Sequence, residues 1–251
     1  MRDVENWLTE QELENIYSAD YWNDIEEEKS KEFWILDGNY KKCLDYLKNS
    51  KLLDEYYASE KYVNEKSGDG KLLDLAAGIG WTSSLLSKLG SIKEVHAVEI
   101  SKHRIGELFE HAVKMMVGSP EKIFRYIGSF YKLKFPNEVF DVIFMSQAFH
   151  HSDKPLHLLF ECDRVLKKGG RIILIGEQNI TARLMFRRFV GNLLRTKKIV
   201  FNFYELFLPD SRLGDHYYRM SDYFFMFQSM GYKLKYEVAP TGNIMYIADK
   251  E

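Results

Sequence analysis

The sequence predicts an α/β fold in which helices cover both faces of a mostly parallel sheet. Apolar strand-like runs alternate with helix-like stretches from Leu72 to Glu177, a pattern that favours strand–helix–strand units. A turn containing glycines follows the first run, in the segment "LLDLAAGIGWTSSLLSKLG" (residues 72–90). Hydrophobic residues make up 45% of the 251-residue chain, enough for a sizeable core, and the length fits one large domain or one domain with an appendage.

Composition and charge narrow the class of protein. The net charge of −2 gives no bulk electrostatic attraction to nucleic acid or to a membrane, and nucleic acid is not an expected partner. Cys43 and Cys162 have no metal-ligand spacing and form no disulfide framework, which fits a reducing compartment and predicts no metal centre. The acidic start lacks the apolar core of a signal peptide, and no apolar run has the length of a membrane span. We therefore expect a cytoplasmic protein without stable membrane insertion.

Residues 1–66 are predicted to form an N-terminal helical cap. The first 32 residues hold eleven acidic and three basic residues, and Thr9 with Glu12 predicts a helix start. Apolar and aromatic residues then recur at helical spacing, namely Leu13, Ile16, Tyr17, Tyr21 and Trp22. Two roles stay open for these aromatic residues: packing of the cap against the core, or folding over a bound ligand. A loop at residues 65–71 marks the start of the main domain, residues 67–251.

Five strands and three helices follow this loop in alternation. The predicted strands are Leu72–Ala76, Glu94–Val98, Ile123–Ile127, Val139–Met145 and Arg171–Ile175. The predicted helices lie near Trp81–Leu89, His103–Met116 and Pro155–Leu166. The crossovers between successive parallel strands should be right-handed.

The C-terminal third departs from this alternation. Residues from about 178 to 220 form a predicted lid insertion, which holds six basic and no acidic residues between Thr181 and Val200. A capped helix then precedes two strands that are joined by the short turn "APTGN". Strands joined so briefly pair antiparallel, so the sheet should end in an antiparallel hairpin.

The glycine turn predicts a nucleotide-cofactor site. In open α/β sheets, ligands bind beyond the carboxyl ends of the strands, where glycine lets the backbone approach closely. Gly78 and Gly80 occupy such a turn, and Glu99 ends the next strand, where an acid can hold ribose hydroxyls. Dinucleotide enzymes share both features, but Ser83 stands where their third glycine would be. Asp74 before the turn disfavours a pyrophosphate and favours a ligand with an ammonium group, such as S-adenosylmethionine.

These residues resemble the class I S-adenosylmethionine-dependent methyltransferases, most closely the branch that includes the ubiquinone and menaquinone biosynthesis enzymes. The family's first motif corresponds to Asp74–Gly80, with Ala76 in place of the first glycine. The segment "FDVIFMSQAFHHSDKPLHLLFECDRVLKKGGRIILIGE" (residues 140–177) resembles a later family block. The N-terminal segment also resembles, weakly, the methyltransferases of bacterial capsule O-methyl phosphoramidate clusters.

The resemblance implies a Rossmann-like, seven-stranded, mostly parallel sheet with an antiparallel last strand, and S-adenosyl-L-methionine as cofactor. It implies that Asp74, Ala76, Gly78 and Gly80 bind the methionine end and that Glu99 binds the ribose. An Asp that often contacts the adenine in the family is replaced here by Ser129 and Phe130. The remaining candidate cofactor residues are Ile100, Gln147 and Tyr21.

Two histidines after the fourth predicted strand are the candidate catalytic residues. His150 or His151 could take a proton from a hydroxyl acceptor, although either could instead be structural. An acceptor oxygen that is already anionic would need no base. The candidate substrate-binding residues are Tyr17, Arg183, Arg187, His216 and Arg219. The basic stretch also fits a solvated helix face or a helix that lies on a membrane surface.

We therefore expect O-methylation of a small, anionic metabolite, for example one that bears a phosphate, phosphoramidate or carboxylate, with cell-surface polysaccharide biosynthesis as a candidate setting. Three alternatives stay open: a small-molecule N- or C-methyltransferase, an NAD-dependent oxidoreductase, and a non-catalytic cofactor-binding module. The sequence does not fix the acceptor or the oligomeric state.

Overall fold

The computed structural model describes residues 1–16, 19–26, 35, 38–210, 214–239 and 241–251. Its centre is an eight-stranded sheet in the order β1-β4-β3-β2-β5-β6-β8-β7. The strands are β1 (Val4–Asn6), β2 (Lys71–Leu75), β3 (Glu94–Glu99), β4 (Ile123–Ile127), β5 (Phe140–Ser146), β6 (Leu166–Glu177), β7 (Tyr232–Val238) and β8 (Ile244–Lys250). Strands β1 to β6 pair parallel, whereas β8 pairs antiparallel with both β6 and β7. The predicted α/β class and the closing antiparallel hairpin are confirmed.

The α-helices flank this sheet. They are α1 (Glu10–Glu14), α2 (Ala19–Trp22), α3 (Tyr40–Asn49), α4 (Leu52–Asn64), α5 (Trp81–Leu86), α6 (Phe109–Met116), α7 (Pro155–Val165), α8 (Ala182–Thr196), α9 (Phe203–Leu206) and α10 (Met220–Ser229). A π-helix at Arg104–Leu108 leads into α6, and single 3₁₀ turns lie at Pro120–Lys122 and Phe149–His151. No helix among the described residues is long and apolar enough to cross a membrane.

Alternating side chains along the central strands build two hydrophobic cores. Leu72 and Val142 belong to one core with helices α3 to α6, whereas Leu73 and Ile143 belong to the other with α7 and α10. Successive residues of a strand point to opposite faces, so strands buried on both faces show continuous apolar runs in the sequence. Helices α3 and α4 of the predicted cap thus share a core with the sheet, and the division at residue 66 stays a prediction.

The sheet has one strand more than the sequence indicated. Val4–Asn6 pairs parallel with β4 at the sheet edge, in a segment predicted to be helical. Three residues are too few to show strand periodicity, and the neighbouring Trp7 supplies the packing. A Cβ at Gly128 would lie 2.7 Å from the Trp7 ring, so this glycine allows the close approach.

Strand β6 also begins earlier than predicted. Leu166 already pairs with Phe140, and the register then shifts before Val142 pairs with Arg171. The glycines at 169 and 170 therefore lie within an irregular strand rather than in a turn before it.

Gly80 is the position of the cofactor turn where an added side chain is least tolerable. Its φ is +82°, and an added Cβ would overlap the Phe109 ring. We expect Gly80→Ala to lower the free energy of unfolding by about 3 kcal/mol, from left-handed strain and overpacking together. Urea unfolding measures this value, and Gly90→Ala is the control, because Gly90 is exposed, outside the left-handed region and open. Equal effects of the two substitutions would contradict the packing described.

Candidate active site

A cavity of about 540 Å³ lies beyond the carboxyl ends of β2 to β6. Its volume is within the range of small-molecule and cofactor sites. The lining includes ten predicted site residues, namely Tyr21, Ala76, Gly78, Glu99, Ile100, Ser129, Phe130, Gln147, His150 and His151. The parallel register places the ends of these strands at one edge of the sheet, so residues distant in sequence meet here.

The turn after β2 is built from left-handed residues. Gly78 and Gly80 have φ values of +56° and +82°, which glycine adopts without cost. Ala76 also has a positive φ, of +57°, although its Cβ makes this conformation costly by about 1–2 kcal/mol. Ala76 therefore adopts a left-handed conformation that glycine would reach at lower cost. It lines the cavity, so the strain lies at the predicted ligand surface.

Glu99 joins this turn to the end of β3. One carboxylate oxygen accepts a hydrogen bond from the Gly78 N–H at 2.7 Å. The other accepts from the N–H groups of Ile100 and Ser101, each at 2.9 Å. The side chain is nearly buried but lines the cavity. Glu99 is thus held rigidly with a negative charge beside the cavity.

Asp74 lies beneath the turn rather than at the cavity surface. Its carboxylate is 1% exposed and accepts hydrogen bonds from the hydroxyls of Thr82 and Ser83 in the first turn of α5. The other carboxylate oxygen, Oδ1, has no hydrogen-bond partner among the described residues. Asp74 thus positions the start of α5, and a direct contact with a ligand stays a prediction. Gly80 likewise lies at the start of α5, outside the residues that line the cavity.

The ends of β5 and β6 contribute a second strained position. Gln147 has a φ of +53° and lines the cavity directly after β5. A Cβ at Gly176 of β6 would overlap the Gln147 side chain, so the two residues fit only because position 176 is glycine. The buried Glu55 of α4 accepts a hydrogen bond from the Gly176 N–H at 2.6 Å and supports this bend. Strands β2 and β5, which are neighbours in the sheet, are thus both followed by strained backbone at the cavity, at Ala76 and Gln147.

The loop after β4 supplies the predicted adenine-binding residues. Ser129 is buried, and its Oγ accepts a hydrogen bond from the Tyr131 N–H at 3.1 Å. Phe130 contacts the Tyr131 ring edge to face, with 4.6 Å between centroids. Both residues line the cavity, and their contact with adenine stays a prediction.

Helix α2 places aromatic side chains over the cavity. Tyr21 and Trp22 both line it, and their rings meet edge to face. The Arg104 guanidinium lies over the Trp22 ring, 4.6 Å from its centroid. The next residue, Asn23, accepts a hydrogen bond from the Lys102 N–H at 2.9 Å, which ties the helix to the loop after β3. The predicted substrate residue Tyr17 lies outside the described residues.

His150 belongs to a buried ion pair. Its Nδ1 lies 3.0 Å from Glu177 Oε2, and Glu177 is completely buried. Tyr223 donates its hydroxyl to the same carboxylate, and the Phe149 N–H donates to the other oxygen. Burial alone lowers the pKa of His150, but the Glu177 charge raises it above its usual value. The Glu177 charge thus favours the protonated form of His150 and holds the ring in place.

His151 lies in a different environment. Its Nδ1 is 3.0 Å from Asp215 Oδ1, without the alignment of a hydrogen bond, and the Trp22 ring contacts it edge on. Burial lowers the pKa of His151 despite the opposing effect of Asp215, so the imidazole is neutral near pH 7. Donor atoms of His150, His151 and Asp215 lie within 4.8 Å of one another, a spacing that a divalent cation could use and that the sequence did not indicate.

The structure leaves four predicted substrate residues away from the cavity lining. Arg183 and Arg187 lie on α8, which buries none of its residues. His216 contacts the site through its backbone, since its N–H donates to the His150 carbonyl at 2.7 Å. Arg219 pairs with Asp222 at the start of α10. Their direct contact with an acceptor stays a prediction.

Three important residues escaped the sequence analysis: Glu177, Asp215 and Arg104. Glu177 follows the predicted strand Arg171–Ile175 closely, much as Glu99 follows Glu94–Val98, so its position was a usable signal. Asp215 directly precedes His216, yet its approach to His151 depends on how the lid insertion returns to the sheet. The contact between Trp22 and Arg104 joins residues 82 positions apart, which no local pattern reveals.

Comparisons with known proteins agree with this geometry. Residues 73–174 match the family model described as a methyltransferase domain. The chain is 34% identical over 116 residues to an uncharacterized methyltransferase of Schizosaccharomyces pombe, and 31% identical over 114 residues to a sarcosine/dimethylglycine N-methyltransferase of Aphanothece halophytica. Each match covers 45% of this chain and 40% of the relative, so the chain spans well under half the length of these relatives.

A solved structure supports the fold over a longer stretch. A SAM-dependent methyltransferase from Aquifex aeolicus superposes with a TM-score of 0.54 at 18% identity, over 80% of this chain and 96% of that one. Residues 73–174 are therefore similar to methyltransferase domains, and the chain has a Rossmann-like fold; S-adenosylmethionine is the cofactor that this similarity implies.

The buried carboxyl group of Asp74 should make stability depend on pH. Burial raises its pKa to about 6, although Ser83 and Thr82 oppose the shift by hydrogen bonding. The folded chain therefore keeps a proton that the unfolded chain releases nearer pH 4, and stability falls as the pH rises through 6. We expect the stability of Asp74→Asn relative to wild type to increase by about 2 kcal/mol between about pH 4 and pH 7.

Urea unfolding of the ligand-free protein at several pH values measures this difference. Asp45→Asn, at an exposed position of α3, is the control and should show no comparable change. A pH-independent difference between Asp74→Asn and wild type would contradict the assignment.

Proposed function

We propose that the protein transfers a methyl group from S-adenosylmethionine to an oxygen of a small-molecule acceptor. The observation that carries this proposal is one cavity that combines the glycine turn after β2, the fixed carboxylate of Glu99 and the neutral imidazole of His151. The methyltransferase-domain match covers the strands that supply all three.

The residues present fit the cofactor. Glu99 would accept the ribose hydroxyls, because its carboxylate is fixed by backbone N–H groups and still faces the cavity. The methionine end would lie along Ala76–Gly78, above the buried and partly unpartnered carboxylate of Asp74, whose charge suits an ammonium. Phe130 and Ser129 would enclose the adenine. When bound, the cofactor supplies an electrophilic methyl group.

His151 is the better candidate for the general base. A base must be unprotonated at working pH and lie at the cavity, and His151 satisfies both conditions. The Glu177 charge raises the pKa of His150, which makes it the weaker candidate for a group that must be unprotonated. Asp215 would stabilise the imidazolium that forms when His151 takes the proton of an acceptor hydroxyl. Apart from this proton transfer by His151 and Asp215, catalysis would require alignment of the acceptor with the methyl group.

The proposal includes a more specific point, that the acceptor carries an anionic group. The arginines of α8, which suggested an anionic acceptor, do not line the cavity. Among the described lining residues, Arg104 supplies positive charge, and it supports an acceptor with one anionic group. The ubiquinone-like branch and the capsule setting remain predictions from the sequence.

Nitrogen methylation is the main alternative, since one curated relative is an N-methyltransferase. An amine acceptor would need no activation beyond loss of its own proton, so it would depend less on His151. An NAD-dependent oxidoreductase would bind NAD instead of S-adenosylmethionine. A non-catalytic binding module would bind S-adenosylmethionine but would release no S-adenosylhomocysteine.

Substitution of Glu99 tests the cofactor site directly. Glu99→Gln removes the charge and one of the two acceptor oxygens, so we expect binding of S-adenosylhomocysteine to weaken about a hundredfold. Isothermal titration calorimetry measures the affinity, and the melting temperature shows whether the variant remains folded. Glu94→Gln is the matched control, because Glu94 lies at the opposite end of β3. Equal affinities of Glu99→Gln and wild type would remove Glu99 from the site.

Substitution of His151 tests the assigned base. With any hydroxyl acceptor on which wild type releases S-adenosylhomocysteine, His151→Gln should lower the rate about 10²- to 10⁴-fold and leave cofactor binding unchanged. The wild-type rate should fall as the pH drops and His151 becomes protonated.

His157→Gln, at an exposed position of α7, is the control for this experiment. An unchanged rate in His151→Gln would exclude it as the base. Loss of wild-type activity in a chelator, restored by a divalent cation, would instead make His150, His151 and Asp215 metal ligands.

A further inference from the structure

We propose that helix α8 and the segment after it form a surface that binds anionic lipid bilayers. This lid surface consists of residues 182–201. It lies outside the cavity and plays no part in the proposed methyl transfer, so the inference goes beyond that function and does not depend on it.

The first argument is the exposure of large apolar side chains. Helix α8 has 15 residues and buries none of them. Phe186 is 68% exposed, Leu194 76%, and Phe201, just beyond the helix, 83%. Monomeric soluble proteins seldom leave such side chains together in water, so the surface indicates a partner.

The second argument is the arrangement of apolar side chains around helix α8. Ala182, Phe186, Phe189 and Leu193 recur at intervals of three and four residues and therefore share one face. Phe201 extends this face, because its ring stacks on Phe189 at a centroid distance of 5.5 Å. The result is an apolar stripe along the full length of the helix.

The third argument is charge. The lid surface contains six basic side chains and no acidic one, whereas the whole chain carries a net charge of −2. Arg188 connects the helix to the later part of the lid insertion, since it donates to the Tyr217 hydroxyl and lies over the Phe207 ring. The other basic residues are exposed and have no ion-pair partner among the described residues, namely Arg183, Arg187, Arg195, Lys197 and Lys198.

An apolar stripe flanked by unpaired cations matches the chemistry of an anionic membrane surface. The apolar side chains can enter the boundary between headgroups and acyl chains, while arginine and lysine meet lipid phosphates. A nucleic acid would use the cations but leave Leu194 and Ile199 in water. Residues near both ends of the lid insertion, Gln178 and Asp215, also line the cavity. Binding at this surface would therefore hold the cavity close to the bilayer.

Co-sedimentation with vesicles tests the proposal without any cofactor or acceptor. We expect the full-length protein to sediment with phosphatidylcholine vesicles that contain phosphatidylglycerol, and not with phosphatidylcholine alone. Added salt should release it. The double variant Arg183→Gln/Arg187→Gln should bind roughly thirtyfold more weakly, and Phe186→Ser/Leu194→Ser at least about tenfold more weakly.

Matched controls keep the test specific. Lys114→Gln/Lys233→Gln removes two exposed cations elsewhere, and Phe160→Ser removes a phenylalanine that is 62% exposed on α7. Both controls should bind like wild type. Failure of wild type to sediment, or equal sedimentation with both vesicle types, would overturn the proposal. A dimer in solution that Phe186→Ser dissociates, without vesicle binding, would assign the surface to a second copy of the chain. Because the assay needs no methyl transfer, its failure would leave the proposed function intact.

Discussion

The carboxylate of Glu99 is the interaction on which the cavity depends. It accepts hydrogen bonds from Gly78 on one loop and from Ile100 and Ser101 on the next, so a single side chain fixes two neighbouring strand ends. Charge-assisted hydrogen bonds of this kind are stronger than neutral ones and hold their partners in narrow geometry. The left-handed turn, including the strained Ala76, can therefore persist at the ligand surface.

The same device recurs around the cavity. Glu55 holds the bend at Gly176, and Glu177 holds His150 together with Tyr223. Each carboxylate is buried and neutralised or satisfied by local donors, as a buried charge requires. Buried carboxylates behind the cavity wall thus hold it in place. His151 and Asp215, in contrast, form an ionisable pair that faces the cavity and does not hold neighbouring segments together.

The sequence predicted most of the central sheet, because strands buried on both faces appear as apolar runs and the glycine turn is local. Strand β4 has the predicted bounds, Ile123–Ile127. Strand β1 was missed because three residues carry no periodicity, and its position depends on Trp7 meeting Gly128. The roles of His150 and His151 could not be separated from sequence, because the partners that distinguish them, Glu177 and Asp215, approach only through the tertiary fold.

We infer that the cavity is built for S-adenosylmethionine rather than for a dinucleotide. The most direct measurement is the melting temperature of the wild-type protein with S-adenosylhomocysteine and, separately, with NAD. A ligand that binds only the folded state raises that temperature by an amount that grows with its affinity and concentration. We expect a rise with S-adenosylhomocysteine and none with NAD. A rise with NAD alone would contradict this inference.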